Sequence, residues 1–354
     1  MEWLPRAGSG RVSVKRIPDR DIAMGCRVRL ARNLRKHVFP DRATDEQRMA
    51  VMNEIMLAAQ NKMPEYSRNT VDNMPEADRL LAYETRLISK ELSERESGAG
   101  IIISEDLLTS AMINEEDHLR IQSFTPYMDI EDAWRRADAL DTMLDACLQY
   151  AWTPRWGYLT ACPSNLGTGM RISVMFHLIG LRMTGDLDAV IRGLERMRML
   201  VRGIYGEGSE SSGQIFQISN MDTLGVDENA IITRFRRIGE ELVRQERNAR
   251  ARIISESPLV VEDALIRAQC LLKHAMMIPS SEAMELLSAL RFGVSVGLVT
   301  KLTIEKIDDL MLSVQPAHLQ REVEVTLTPE QRDEFRAVLL NAQLSKVNLR
   351  KIAR

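Results

Sequence analysis

A chain of 354 residues, 45% of them hydrophobic, is long enough to bury a sizeable core and to form two domains. Its formal net charge of −3, with 27% charged residues, produces no global field that would gather nucleic acid or a membrane surface. No apolar run is long enough to span a membrane, Met1-Glu-Trp-Leu-Pro5 is unlike a signal peptide, and the four cysteines lack metal spacing. These features point to a reducing, cytoplasmic setting without disulfides. Of the 47 basic residues, 38 are Arg and 9 are Lys, a balance that favours planar, bidentate recognition of carboxylates and phosphates.

Taken in chain order, the first informative stretch is Arg27-Val-Arg-Leu-Ala-Arg-Asn33. Arg27 and Arg29 are two apart, so an extended strand places them on one side, with Arg32 just beyond. Such a strand end suits a polyphosphate; by itself it also reads as a basic edge that discourages aggregation. Thr44-Asp-Glu-Gln47 is a capping box, and Met49, Met52, Ile55, Met56 and Ala59 follow at helical spacing as a core stripe. After a short helix near 76–88, Ile101–Ile103 reads as a buried strand. With the segments flanking Glu115-Glu-Asp117 it makes an antiparallel meander.

That acidic triplet sits in Asn114-Glu-Glu-Asp-His-Leu-Arg120. Three acids at the rim of a sheet are costly unless cations face them, and they are suited to holding and deprotonating a guanidinium. A solvated hairpin turn is the plainer alternative. Asp129 to Tyr150 reads as an amphipathic helix with Ala133, Ala137, Leu140, Leu144 and Cys147 inward. Gly157–Ala161 reads as a strand running into the Gly-rich loop Cys162-Pro-Ser-Asn-Leu-Gly-Thr-Gly169, whose backbone could approach a ligand closely. From Met170 to Leu178 the pattern alternates, with Arg171 on the open face and His177 as a satisfied surface histidine. The strand 200–204 carries Arg202, and Tyr205–Gly213, with three Gly and two acids, reads as a mobile loop bearing Glu207. Asp227 caps a long helix. Beyond about 255, prolines separate short helices, the last opening at Thr328-Pro-Glu-Gln331 with Arg332 and Arg336 one turn apart beside Asp333.

Arg27, Arg29, Arg120, Arg171 and Arg202 each fall near a strand end, together with Glu116, Glu207 and Cys162. This combination suggests phosphoryl transfer: arginines clamp phosphates and carboxylates bind a cationic acceptor. Four stretches carry a resemblance to the phosphagen (guanidino) kinase family: the Arg27 strand, the Asn114–Arg120 motif, the Cys162–Arg171 loop and Val201-Arg-Gly-Ile-Tyr-Gly-Glu-Gly-Ser-Glu210. Within it the chain resembles the branch that phosphorylates arginine in proteins. Few residues precede Arg27, leaving no room for the N-terminal helical domain of the small-molecule kinases, and Arg332-Asp-Glu-Phe-Arg-Ala337 is similar to a phosphoarginine-binding motif.

The resemblance implies an α+β fold: an antiparallel-sheet catalytic domain flanked by helices over 1–255, then an all-α domain over 256–354. It implies Glu116 as the base, Glu207 on the guanidinium's other side and Cys162 as the family's reactive cysteine. Arg27, Arg29, Arg120, Arg171 and Arg202 would bind ATP, with Mg²⁺ carried by the nucleotide. Arg332, Asp333 and Arg336 would form an allosteric phosphoarginine site. Implied partners are arginine-bearing protein substrates, the activator McsA, the repressor CtsR, a ClpC-type unfoldase and further copies of the chain, in a stress response that marks proteins for Clp-type proteolysis; no nucleic acid or membrane is implied. A kinase for a free guanidino metabolite and a phosphoarginine-binding adaptor are the alternatives. Three positions depart from the family pattern. Gly25-Cys26 replaces a Ser-Ser pair expected near the phosphates, Met175 replaces a His near the adenine, and Thr85-Arg-Leu-Ile-Ser89 displaces another His.

Overall fold

The protein, seen as a computed structural model, is described over residues 19–203, 212–323 and 325–352. Eight strands form one antiparallel sheet: β1 (Ala23–Arg32), β2 (Ser67–Thr70), β3 (Gly100–Ile103), β4 (Thr109–Ile113), β5 (Leu119–Pro126), β6 (Met170–His177), β7 (Met199–Gly203) and β8 (Ile215–Asn220). Their order is β2-β3-β4-β5-β1-β6-β8-β7, so β1 lies near the centre between β5 and β6. The meander expected around the acidic triplet is β3-β4-β5.

Strand alternation divides the sheet chemically. Val28, Leu30, Ile121, Ile172, Val174 and Ile218 point to one face and are fully or almost fully buried. Four helices cover that face: α1 (Asp45–Lys62), α3 (Ile130–Asp145), α4 (Leu187–Arg196) and α5 (Glu228–Glu256), with α2 (Glu76–Glu84) preceding α3 in sequence. The Thr44 capping box opens α1, and Asp227 caps α5 by accepting from the Ala230 amide at 2.7 Å. Two inward assignments differ from the sequence reading. Met49 is 47% exposed, because the stripe of α1 is centred on Val51, Met52, Ile55 and Ala59. Cys147 is exposed because α3 ends at Asp145, before the helical period reaches it. The expected strand 157–161 shrinks to Gly157–Tyr158, paired with Trp152–Thr153.

The C-terminal helices α6 (Pro258–His274), α7 (Ser280–Ser295), α8 (Ile304–Ser313), α9 (Pro316–Arg321) and α10 (Pro329–Leu344) gather a second core around Leu265, Leu287, Leu290, Ile307 and Leu340. That core takes in Ile179 and Ile215, so these helices are seated on one end of the sheet. His177 is therefore buried, in contrast to the surface position expected of it. Its Nε2 lies 2.8 Å from Ser288 Oγ on α7, while Arg250 and Arg291 donate toward Nδ1 at 3.3 and 3.4 Å. Burial and then these two guanidinia hold its pKa well below the ordinary histidine value. Among the described residues no helix is long and apolar enough to cross a membrane.

Arg32 belongs to the core and not to the polyphosphate strand end. It is 1% exposed, stacks 3.5 Å from the Tyr158 ring centroid, and pairs with Asp141 of α3 at 2.7 Å. Its Nη1 donates to Thr168 O at 3.0 Å, tying the Gly-rich loop to β1 and α3. Asp141→Ala should leave this guanidinium buried and unpaired, at a cost of about 3–5 kcal/mol. Urea unfolding of the variant checks this; a loss near zero would show that the pair is dispensable.

Candidate active site

The other face of the sheet carries the arginines. Arg29 and Arg171 are directly opposite across β1 and β6, Arg27 lies opposite Ser173, and Arg120 pairs with Ala31 across β5 and β1. Arg202 is opposite Gln217 across β7 and β8, and Gln217 accepts from Arg27 at 3.4 Å. All five arginines picked out in the sequence thus rise on one face, from β5, β1, β6 and β7, with β8 between the last two. Burial, with Arg86, Arg120 and Arg171 around it, pushes the Arg27 guanidinium down to about 9. Burial followed by Arg27, Arg120 and Arg171 depresses Arg29 well below its usual value. Arg171 is lowered by burial, Arg202 and Arg120, and partly restored by Cys162 and Glu116. The Nε atoms of Arg29 and Arg171 are buried with no hydrogen-bond partner in the protein. Like charges facing each other across strands are destabilising by themselves, so this surface is chemically suited to a polyanion.

The acidic motif is the turn between β4 and β5. Asn114 adopts φ 56°, a left-handed conformation that Asn tolerates, and its amide donates to Arg48 O at 2.8 Å and Gly98 O at 2.7 Å. The Asn114 amide nitrogen closes the turn on His118 O at 3.0 Å. Of the three acids, Glu116 turns to the arginines: its Oε2 accepts from Arg120 at 3.1 Å and from Asn165 at 3.3 Å. Glu115 lies where it supports the charges of Arg27 and Arg29. Asp117 turns inward and is fully buried. His118 is also structural: the Leu34 amide donates to its Nδ1 at 3.0 Å, so its Nε2–H donates to Val38 O at 2.9 Å.

Cys162 is partly buried at the start of the Gly-rich loop, its Sγ 3.0 Å from Ser164 Oγ. Asn165 of the same loop reaches Glu116, which brings Cys162 and Glu116 to one end of the arginine surface. The loop's glycines serve close packing of chain on chain. A Cβ at Gly167 would stand 2.3 Å from Thr223 O, and one at Gly169 would stand 2.6 Å from Ala31 O. Glu207 lies outside the described residues.

Cys26 corrects an expectation. Its side chain faces the core at 2% exposure, where burial pushes the thiol up despite a hydrogen bond from Thr125. Alternation along β1 puts only Gly25 of that pair on the arginine face, beside Met175. The other two departures meet each other. Arg86, at φ 64° after α2, reaches the Met175 sulfur with its Nη1, and Gln122 donates to its carbonyl at 3.1 Å. Arg86 thus joins the cluster as a sixth guanidinium; its segment stood out in the sequence only as a departure from the family pattern, with no role attached. Asn165 and Gln217 were likewise missed; only their place in the Gly-rich loop and on an alternating strand could have pointed to them.

At the C-terminal motif, Arg336 is 1% exposed and donates to Val314 O at 2.8 Å, Ile278 O at 2.7 Å and Asp333 Oδ1 at 2.5 Å. Arg332 is half-buried at the first turn of α10 and donates to Leu327 O at 3.2 Å. The three residues lie together, with Arg336 as the inner member.

The His118 environment predicts a pH dependence. Burial holds its pKa at about 4 in the folded protein against an ordinary 6.5. The unfolded chain therefore takes up a proton that the folded chain refuses, and stability falls as pH drops from about 6.5 to about 4. The full loss is on the order of 3 kcal/mol. Urea unfolding at pH 7.5 and at pH 5 should show a smaller difference in His118→Gln; an equal difference would assign the acid sensitivity elsewhere.

Comparison with known proteins gives the chain a family. Residues 48–249 match the family model for the ATP:guanido phosphotransferase C-terminal catalytic domain, and residues 258–353 match that of the protein-arginine kinase McsB C-terminal domain. A protein-arginine kinase of Halothermothrix orenii is 38% identical over 330 residues, covering 93% of this chain and 94% of that protein. One of Symbiobacterium thermophilum is 42% identical over 335 residues, covering 93% and 94%. Among solved structures, a duplicated taurocyamine kinase of Schistosoma mansoni aligns with a TM-score of 0.57 at 26% identity, covering 68% of this chain and 36% of that one. The chain therefore belongs to the ATP:guanido phosphotransferase family.

Proposed function

We propose that this chain is an ATP-dependent protein-arginine kinase that transfers the γ-phosphoryl group of ATP to an arginine side chain of another protein, giving N-phosphoarginine. The observation that carries the reading is the facing pair Arg29 and Arg171, with partnerless buried Nε atoms, beside the carboxylate of Glu116. Arg27, Arg29, Arg120, Arg171 and Arg202 hold the nucleotide phosphates and the charge spread over the transferring group. Mg²⁺ takes oxygens mainly from those phosphates, as this ion commonly does. Glu116 accepts a proton from the acceptor guanidinium, whose nitrogen then forms the P–N bond as the P–O bond to ADP breaks. Cys162 and Glu207 complete the acceptor's surroundings. A free guanidino metabolite is the second reading, favoured by the fold likeness to taurocyamine kinase; the protein-arginine kinases among its relatives, similar over nearly the whole length, support a protein acceptor.

The finer setting belongs to the same proposal. The kinase works in the cytoplasm as a homodimer or higher oligomer and marks proteins for Clp-type proteolysis under stress, with McsA, CtsR and a ClpC-type unfoldase as partners. Arg332 and Asp333 present a phosphate ligand and a guanidinium acceptor at the N-terminal turn of a helix, where an anion is favoured, and Arg336 orients Asp333.

The reading is tested by incubating the protein with ATP and either casein or free arginine and mapping acid-labile phosphate; phosphate on free arginine alone, or on neither, would reject it. Glu116→Gln keeps the shape but cannot take the proton. Its rate should fall by about 10²–10⁴-fold with ATP affinity nearly unchanged, and activity close to wild type would move the base elsewhere. Calorimetry should show weaker phosphoarginine binding by Asp333→Ala, whereas equal affinity would leave α10 a structural helix.

A further inference from the structure

Three of the stretches singled out in the sequence meet at one buried oxygen. Asp117 Oδ1 accepts from Asn33 Nδ2 at 2.6 Å and from the Ala161 amide at 2.7 Å. Asn33 ends the arginine strand motif, Asp117 follows Glu116 directly, and Ala161 precedes Cys162. Asn33 is itself fixed: its Nδ2 also donates to Leu159 O at 3.1 Å, its Oδ1 accepts from the His118 amide at 2.9 Å, and its carbonyl accepts from the Ala151 amide at 2.7 Å. The acidic turn and the cysteine loop are thus joined twice, at Ala161 through Asp117 and at Asn165 through Glu116.

Asp117 is an expensive way to make this joint. Its side chain is fully buried, and Oδ2 has no hydrogen-bond partner in the protein. Burial raises its pKa, with the Ala161 and Asn33 hydrogen bonds opposing. A buried carboxylate with one oxygen unsatisfied costs free energy that a neutral acceptor would avoid. A position chosen for stability alone would not need it.

We propose that Asp117 is a positioning residue for phosphoryl transfer: by holding the Ala161 amide and Asn33 on one oxygen, it sets the placement of Cys162 relative to Glu116. The proposal rests on the reading that Glu116 and Cys162 flank the acceptor guanidinium. Displacement of reacting groups by about 1 Å can cost on the order of 100-fold in rate, so a joint one residue away from each is a place where such precision is set. Asp117 touches neither nucleotide nor acceptor; it acts through its neighbours on both sides.

The test compares Asp117→Ala with Asp117→Asn in the full chain. It reads kcat, ATP affinity, and the iodoacetamide alkylation rate of Cys162, resolved from the other cysteines by peptide mass spectrometry. Asp117→Ala removes both hydrogen bonds, so kcat should fall by about 10–100-fold and Cys162 alkylation should change by about fivefold or more, with ATP affinity within about twofold. Asp117→Asn keeps an oxygen for both N–H groups and should recover most of the kcat and the wild-type alkylation rate. A folded Asp117→Ala with unchanged kcat and unchanged Cys162 alkylation would overturn the proposal. So would equal losses of kcat and ATP affinity with Cys162 unmoved, since that pattern marks a general structural role. If Asp117→Ala does not fold, Asn33→Ala removes the other donor to the same oxygen and should shift both readouts in the same direction by a smaller factor; no shift would overturn the idea. The alkylation rate does not depend on which acceptor is used. A failure of the acceptor reading would therefore appear as an active Glu116→Gln with the Asp117 coupling intact.

Discussion

The structure depends on a repulsion that the protein alone does not relieve. Arg29 and Arg171 face each other across β1 and β6, and burial together with the charges of neighbouring arginines weakens the hold of Arg27, Arg29 and Arg171 on their protons. Glu115 and Glu116 offset part of this, and they are too few for the guanidinia that surround them. An arrangement of this kind is stable only on a rigid backing and useful only with an anion. The backing is the opposite face of the same strands, where Val28, Leu30, Ile172 and Val174 are buried under four helices. The anion is the polyphosphate that the proposed reaction consumes. On the proposed reading, relief of this repulsion contributes to nucleotide binding.

Placement, more than residue type, separates the working groups from the structural ones. Arg27 and Arg29 are on the open face, while Arg32, at the end of the same strand, is buried against Asp141 and the Tyr158 ring. Glu116 reaches the arginines, while Asp117, its neighbour, turns into the interior to hold Asn33 and Ala161. The acidic motif therefore splits between consecutive residues: Glu116, the base of the proposed reaction, faces the arginines, and Asp117 ties the turn to Asn33 and Ala161. Asn114, at φ 56°, opens this turn, and its backbone amide closes it on His118 O.

Much of this was legible because strand alternation is a local rule. Arg27 and Arg29 on one side, Arg171 on an open face and the meander around the triplet all follow from a period of two. The same rule, applied to Cys26, would have placed its thiol in the core. What stayed illegible depends on distant chain. His177 is buried by α7, more than a hundred residues later, and nothing in its own segment announces Ser288 or Arg291. Arg86 enters the site from a left-handed turn after α2, outside any periodic pattern. The Gly-rich loop looked like a ligand cradle, but its glycines answer to Thr223 and Ala31, contacts set by tertiary packing.

If the arginine face serves a chain of phosphates, calorimetric titration with AMP, ADP and ATP under one buffer and salt condition will rank the three by phosphate number. The adenosine is common to all three, so differences report the phosphates alone. Each added phosphate should tighten binding by about tenfold or more, as expected for new charge-assisted hydrogen bonds to guanidinia. Equal affinity for AMP and ATP would mean that the crowded guanidinia serve something other than a polyphosphate.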